Sequence, residues 1–222
     1  MKKYVVLLSS GLDSTVNLYA AQKQGQVVLA LTFDYGQRAA VQEISHAQKL
    51  CQKLKIPHQV IDLKWMKSWG KSSLLDTQKD IPVADQIQMD DLKTSLQTAE
   101  KVWVPNRNGV LLNLAAGFAE SLAADSIVPG FNKEEAATFP DNTEEFLNQV
   151  TASLFYSTAN HVKAECFTTR MNKSEIVAWG KELGVDWSLI WPCYFALEKW
   201  CGQCESCQRS LRALKAQGVE LS

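Results

Sequence analysis

The run Val27-Val28-Leu29-Ala30-Leu31-Thr32-Phe33 is almost unbroken in its apolar character. A strand with one wetted face alternates apolar and polar residues. A strand that reads like this one is covered on both faces, which is the habit of parallel sheets whose strands are joined by helices packed above and below. The neighbouring segments complete the pattern. Tyr4 to Leu8 reads as a first strand, Asp13 to Gln24 as a helix stopped by Gly25, Ala39 to Leu54 as a second helix broken before Pro57, and His58 to Leu63 as a third strand. The order β-α-β-α-β predicts an α/β chain with a Rossmann-like open parallel sheet and helices on both faces.

Further along, the segments Asn108 to Ala124, Glu144 to Thr158, Lys173 to Leu183 and Glu205 to Gln217 read as helices, and Ser126 to Gly130 and His161 to Phe167 as strands. Between Lys64 and Lys101 the chain is polar and irregular. A structureless loop of that length is unusual in a compact domain, so an insertion is expected there, lying over the site or in an interface. Within it, Gly70-Lys71-Ser72 has the ending of a Walker A motif, but Trp65 stands where that motif needs its first glycine, and the motif is rejected. A domain boundary is expected near Leu189, dividing residues 1–188 from a small C-terminal lobe, 189–222.

Composition narrows the class. The 222 residues suffice for one α/β domain with a small lobe, and a net charge of −1 gives no pull toward nucleic acid or an anionic membrane. Lys2 and Lys3 precede an apolar run too short for a signal peptide, and no window approaches the roughly 18 apolar residues of a membrane helix. The expectation is a cytoplasmic protein with neither a membrane nor a nucleic-acid partner.

Four of the six cysteines crowd together: Cys193, Cys201, Cys204 and Cys207, while Cys51 and Cys166 stand alone. Thiolates two residues apart chelate one metal ion through a tight turn, and a fourth from nearby closes a tetrahedron. This spacing predicts a structural Zn²⁺ with no open position, packed by Trp191 and Trp200. The rival reading makes Cys201 and Cys204 a sulfur-carrying pair.

The stretch Ser9-Ser10-Gly11-Leu12-Asp13-Ser14-Thr15 follows the first strand and opens the first helix. Unpaired amides at a helix start favour an anion, Gly11 permits close backbone approach, and the hydroxyls add donors. Asp13 would repel a phosphate unless Mg²⁺ lies between them, or else it caps the helix; a capped helix start with no ligand is the alternative. Asp34, Gln37 and Arg38 stand at the carboxyl end of the second strand, where open α/β sheets bind ligands. Arg38 is either a bidentate anion contact or a solvated arginine, and Asn108, after Arg107, also reads as a helix cap. His46, His58 and His161 form no spaced pair.

The loop Ser9-Ser10-Gly11-Leu12-Asp13-Ser14 resembles the Ser-Gly-Gly-x-Asp-Ser loop of the pyrophosphatase-loop adenylating enzymes, with Ser10 in place of the first glycine. Four further stretches narrow the resemblance: Thr32 to Arg38, Val104 to Asn108, Gly130 to Glu135 with Phe139-Pro140-Asp141, and the cysteine cluster. Together they are similar to the 7-cyano-7-deazaguanine synthase family, from residue 3 to about 214 outside the insertion.

The resemblance implies ATP- and Mg²⁺-dependent conversion of 7-carboxy-7-deazaguanine and ammonia to the nitrile, through an adenylated acid and an adenylated amide. It implies an ATP site at Leu8, Ser9, Ser10, Gly11, Leu12, Asp13, Ser14 and Thr15, and catalytic roles for Asp13, Arg38, Arg107 and Lys173. It further implies base contacts from Tyr35, Gln37, Asn108, Phe131, Asn132, Glu134, Phe139 and Asp141, and a homodimer. Aromatic rings suit the flat faces of a deazaguanine and a carboxylate suits its N–H edge. No glutaminase module is seen, so ammonia is expected to arrive free or from a partner. Three alternatives stand beside this reading: an adenylating enzyme that passes the deazapurine to another acceptor, a tRNA-thiolating enzyme, and a non-enzymatic zinc module.

Overall fold

The computed structural model describes residues 1–69, 72–76, 78–83 and 92–220. Strands β1 (Lys3–Leu7), β2 (Gln26–Asp34), β3 (His58–Asp62), β4 (Ser126–Val128) and β5 (Lys163–Ala164) form one parallel sheet in the order β3-β2-β1-β4-β5. The helices are α1 (Leu12–Gln24), α2 (Ala40–Leu54), α3 (Leu92–Val102), α4 (Arg107–Ser121), α5 (Lys133–Ala136), α6 (Glu144–Ser157), α7 (Lys173–Glu182) and α8 (Glu205–Ala216). The chain lays β2 and β3 on one side of β1, then β4 and β5 on the other. The connections leaving β1 and β4 therefore diverge, and the crevice between them is where such sheets hold ligands.

Both faces of the sheet are covered, as the apolar run in β2 demands. Val5, Leu29, Leu31, Phe33 and Ile127 pack with Leu112 and Ala116 of α4 and Leu147 and Leu154 of α6. Tyr4, Val6, Ala30 and Val128 pack on the opposite face with Leu18 and Ala21 of α1 and Ala47 and Cys51 of α2. Pairing of β1 with β2 jumps from Tyr4↔Val27 to Val5↔Leu29. The extra residue, Val28, lets both Val28 and Leu29 face the α4 layer, the local effect of a bulge.

Helix α1 is buried along all of Leu12–Ala21 because it has a second cover: Leu12, Val16 and Tyr19 meet Ile176 and Val177 of α7 and Ala213 and Leu214 of α8. Helix α7 starts with a reciprocal capping box between Asn172 and Glu175, and Gly184 at φ +74 follows its C-terminal residue Leu183 in the left-handed conformation that glycine adopts freely. The cysteine segment shares a core with the stretch expected to be an insertion: Trp191, Cys193, Cys204 and Cys207 pack with Ala39, Leu74, Ile81 and Val102, and Val83 pairs with Cys204 in an isolated antiparallel bridge.

Three local expectations change. The 64–101 stretch is not irregular throughout. It holds a short 3-10 helix, Lys64–Trp69, and most of α3. Helix α3 is anchored near its C-terminal end by Thr98, Ala99 and Val102, too short an apolar stripe to read as a helix. The strand expected over His161 to Phe167 pairs only at Lys163–Ala164, and the Phe167 amide donates to Asn17 Oδ1 instead of a neighbouring strand. The Glu134 to Ala137 segment, which also reads as an exposed turn, holds most of α5. The rejected Gly70-Lys71 pair lies outside the described residues. Among the described residues no helix is long and apolar enough to cross a membrane.

Candidate active site

The loops leaving β1, β2 and β4 converge on one cleft of about 250 Å³. Its floor is the opening loop. Helix α1 begins after Gly11 with no side-chain cap, so the amides of Leu12, Asp13 and Ser14 have no helical acceptor; the Thr15 amide is the first to turn back, onto the Gly11 carbonyl at 3.0 Å. The Ser9 and Ser14 hydroxyls stand 3.1 Å apart at the mouth of this helix start. Gly130, from the β4 loop, packs so tightly on it that a Cβ there would lie 2.5 Å from the Ser14 nitrogen. A helix dipole, free amides and hydroxyls in one concavity make an anion site.

Ser10 and Thr15 turn away from the cleft. Ser10 is fully buried at φ +57, and its hydroxyl donates to the carbonyls of Ser9 (2.6 Å) and Glu43 (3.1 Å). The glycine expected at this position would relieve the left-handed backbone, whereas the serine ties the loop to α2. Thr15 is likewise fully buried, and its hydroxyl has no partner.

Lys173, at the start of α7, buries its ammonium between Asp13 Oδ2 at 2.7 Å and Glu135 Oε1 at 2.9 Å. Burial alone would pull the Lys173 pKa down, but the two carboxylates outweigh it and hold it above the ordinary lysine range. Burial pushes the Asp13 carboxyl up, against the pull of Lys173. Asp13 Oδ1 is buried without a partner at the cleft floor. A bare carboxylate oxygen beside an anion site suits a hard divalent cation such as Mg²⁺. Behind this pair, Glu134 Oε2 accepts from Arg209 of α8 at 3.0 Å, and Glu134 Oε1 from the Lys173 amide at 2.8 Å. Glu134 is thus held by protein donors, and α8 closes that side of the cleft.

The opposite wall is aromatic. Trp103 and Phe139 stack at 6.2 Å between centroids and 8° between planes, and Phe131, Tyr35 and Tyr194 line the same cleft. Arg107, the first residue of α4, sits 5.8 Å over the Tyr35 ring and donates to Asn108 Oδ1. Asn108 is not the cap of α4, since Asn106 holds that place; its amide donates instead to the Asp141 carbonyl at 3.4 Å. Burial raises the Asp141 carboxyl, opposed by Arg107.

Several sequence-predicted residues serve the walls and not the space between them. Arg38 does not line the cleft: its guanidinium donates to the carbonyls of Asp76 and Lys79 and so pins the turn after the 3-10 helix. Asn132 is fully buried and caps α5, its Oδ1 accepting from the Glu135 amide at 2.9 Å. Gln37 lines the cleft, but its amide is committed: Nε2 donates to Phe33 O and Glu43 Oε2, and Oε1 accepts from Tyr35 N. Sequence reasoning missed Glu43, Trp103, Tyr194 and Arg209, and it reached Glu135 only as part of the stretch Gly130 to Glu135. Trp103 was the most legible of these, as a large aromatic just before a helix that opens with Arg107.

The Sγ atoms of Cys193, Cys201, Cys204 and Cys207 all lie within 4.8 Å of one another. Cys201 and Cys207 are separated by 3.8 Å. A tetrahedron with Zn–S bonds of about 2.3 Å has edges of about 3.8 Å, so the four sulfurs fit one ion with no vacant position. Backbone amides of Phe195, Cys201 and Cys204 point at these sulfurs, as thiolate ligands require. The cluster can hold a metal, and it lies outside the lining of the cleft.

The family model described as queuosine biosynthesis protein QueC matches residues 3–218. A protein of Bdellovibrio bacteriovorus named 7-cyano-7-deazaguanine synthase is 54% identical over 221 residues, which cover 99% of this chain and 96% of that one. Proteins of the same name from Desulforamulus reducens and Methanocaldococcus jannaschii are 50% and 45% identical, each match covering 98% of this chain and 95% and 97% of theirs.

Proposed function

The chain belongs to the QueC family of queuosine biosynthesis proteins, and from that premise we propose that its cleft converts 7-carboxy-7-deazaguanine, with ATP and ammonia, to 7-cyano-7-deazaguanine. One observation carries the reading: a helix start with bare amides, an unpartnered carboxylate oxygen and an aromatic wall face one another at the switch point of the sheet.

A carboxylate becomes a nitrile by losing oxygen twice, and each oxygen must first be made a leaving group. In the proposed reaction the substrate carboxylate attacks the α-phosphate of ATP, pyrophosphate leaves, and ammonia displaces AMP to give the amide. The amide oxygen is then activated in the same way, and loss of AMP gives the nitrile. The free amides of Leu12 to Ser14, with the Ser9 and Ser14 hydroxyls, receive the departing pyrophosphate. Asp13 Oδ1 would hold Mg²⁺, which offsets phosphate charge when bound. Lys173 fixes Asp13 in place, and Arg107 reaches the carboxylate or α-phosphate from the far side. Trp103, Phe139 and Phe131 offer flat apolar surface to the deazaguanine ring, and Asp141 an acceptor for its N–H edge. Ser10, Thr15, Arg38, Asn132 and Gln37 act through the walls they hold.

The cysteines hold a structural Zn²⁺ in this reading, ammonia enters free, and two chains form the working homodimer. Residues 1–188 supply the ATP-binding domain and 189–222 the metal lobe. The test is exchange of labelled pyrophosphate into ATP. Exchange that requires 7-carboxy-7-deazaguanine and no ammonium supports adenylation of that acid; no exchange with the acid present overturns it.

A further inference from the structure

Glu43 has no part in the scheme above, yet its side chain lines the cleft with Tyr35, Arg107 and the opening loop. We infer that Glu43 is the proton acceptor that turns an incoming ammonium ion into the attacking ammonia; this rests on the reaction proposed above. Ammonium, the main form at neutral pH, has no lone pair. The cleft already holds three fixed cations, Arg107, Lys173 and Arg209, so a carboxylate is needed both to admit a further cation and to take its proton.

The other acids of the cleft are committed elsewhere. Asp13 and Glu135 hold Lys173, and Glu134 and Glu205 hold Arg209. Asp141 accepts from the Asn142 amide and sits at the Phe139 end, and its backbone carbonyl accepts from Asn108. Glu43 is fastened to the phosphate loop through its backbone, whose carbonyl accepts from the Ser10 hydroxyl at 3.1 Å. Its carboxylate accepts from Gln37 Nε2 at 2.8 Å, and Gln37 is itself pinned by Phe33 and Tyr35, so the carboxylate has a fixed bearing. The charged and titratable groups facing it are Asp34 and Tyr35 at the end of β2 and Arg107 from α4. Burial pushes the Glu43 carboxyl up to about 7, with Gln37 and Arg107 pulling down and Asp34 pushing up. A base poised near the working pH transfers protons most effectively.

In the step, one N–H bond of ammonium breaks, its proton goes to a Glu43 oxygen, and the electron pair stays on nitrogen. That pair forms the C–N bond to the adenylated carbon. The bond from that carbon to the AMP oxygen breaks with its pair on oxygen, and the cationic nitrogen loses a second proton to solvent.

The experiment compares the full chain with Glu43→Gln, which keeps an acceptor for Gln37, in two assays: acid-dependent pyrophosphate exchange without ammonium, and amide formation with ammonium or with hydroxylamine, a nitrogen nucleophile largely unprotonated at neutral pH. The variant is expected to retain exchange and to lose about 100-fold or more in kcat/KM for ammonium, the usual weight of a general base. The loss should shrink with hydroxylamine and as pH rises. Equal loss with both nucleophiles, loss of exchange in parallel, or an unchanged ammonium rate each overturns the inference while leaving the reaction standing. Absence of exchange in the unaltered chain overturns the reaction and the inference with it.

Discussion

The backbone N–H of Trp191 donates to the carbonyl of Ser10 at 2.7 Å, which joins the cysteine segment directly to the opening loop between β1 and α1. Trp191 lies two residues before Cys193, is almost fully buried, and packs against His46 of α2 at 5.0 Å. Metal at the four sulfurs would therefore hold the loop at a distance, without touching substrate. Cys207→Ser, or removal of the metal by a chelator, is expected to weaken ATP binding and speed hydrogen exchange at the Trp191 amide. Hydrogen exchange with mass spectrometry on peptides spanning Leu8 to Ser14 and Ile190 to Cys193 checks this. Unchanged protection in both peptides after metal loss would uncouple the lobe from the loop.

Ser10 combines a strained backbone with two hydrogen bonds, and the two effects can be separated. Ser10→Ala keeps φ +57 and loses the bonds to Ser9 and Glu43, and should cost about 1–2 kcal/mol. Ser10→Gly also loses the bonds but removes left-handed strain of about 1–2 kcal/mol, so it should stay near the stability of the unaltered chain. Urea denaturation of the pair reads the difference directly, and an alanine variant as stable as the glycine one would contradict it.

Removing the Lys173 ammonium leaves Asp13 and Glu135 facing each other in a buried site. Lys173→Met should lower stability by about 3–5 kcal/mol, the usual cost of breaking a buried ion pair from one side. Because the folded state holds the Lys173 pKa above its unfolded value, this contribution is fully present below about pH 10.4 and is lost as pH climbs through the folded value. The stability gap between the two proteins, measured by denaturation, should narrow as pH climbs into the alkaline range, and also in acid, where Glu135, held below its usual range with the help of Lys173, takes up its proton.

Trp103 and Phe139 lie with their ring planes parallel in the aromatic wall of the cleft, so losing one ring should weaken the base and spare the nucleotide. Trp103→Ala is expected to raise KM for 7-carboxy-7-deazaguanine by about 10–100-fold, in line with the roughly 1–3 kcal/mol of a base stacked on an aromatic ring. KM for ATP should stay close to its starting value. Steady-state kinetics with each substrate varied in turn decides the matter.

What could be read from the chain was what is local. The apolar run of β2, the glycine-containing turn of the opening loop and the spacing of Cys201, Cys204 and Cys207 each carry their structural meaning within a few residues, and each predicted its element. Arg38 shows the limit: the end of β2 places it beside the site, but its reach is decided by carbonyls of Asp76 and Lys79 some forty residues away. Asn132 and Gln37 are similar, since short polar side chains near a helix start cap or brace the backbone as readily as they meet a ligand. Glu43 and Arg209 were invisible because each sits on a helix face that looks solvated until the opening loop and α5 are brought against it. Helix α3 was hidden by its short buried stripe at Thr98, Ala99 and Val102.

The most direct test follows the base and the nucleotide together by mass spectrometry, using the purified chain with 7-carboxy-7-deazaguanine, ATP, Mg²⁺ and an ammonium salt. The account predicts accumulation of the nitrile with two AMP and two pyrophosphate released for each nitrile formed. Release of ADP in place of AMP, a base that stops at the amide however much ATP is supplied, or no change in either partner would contradict it.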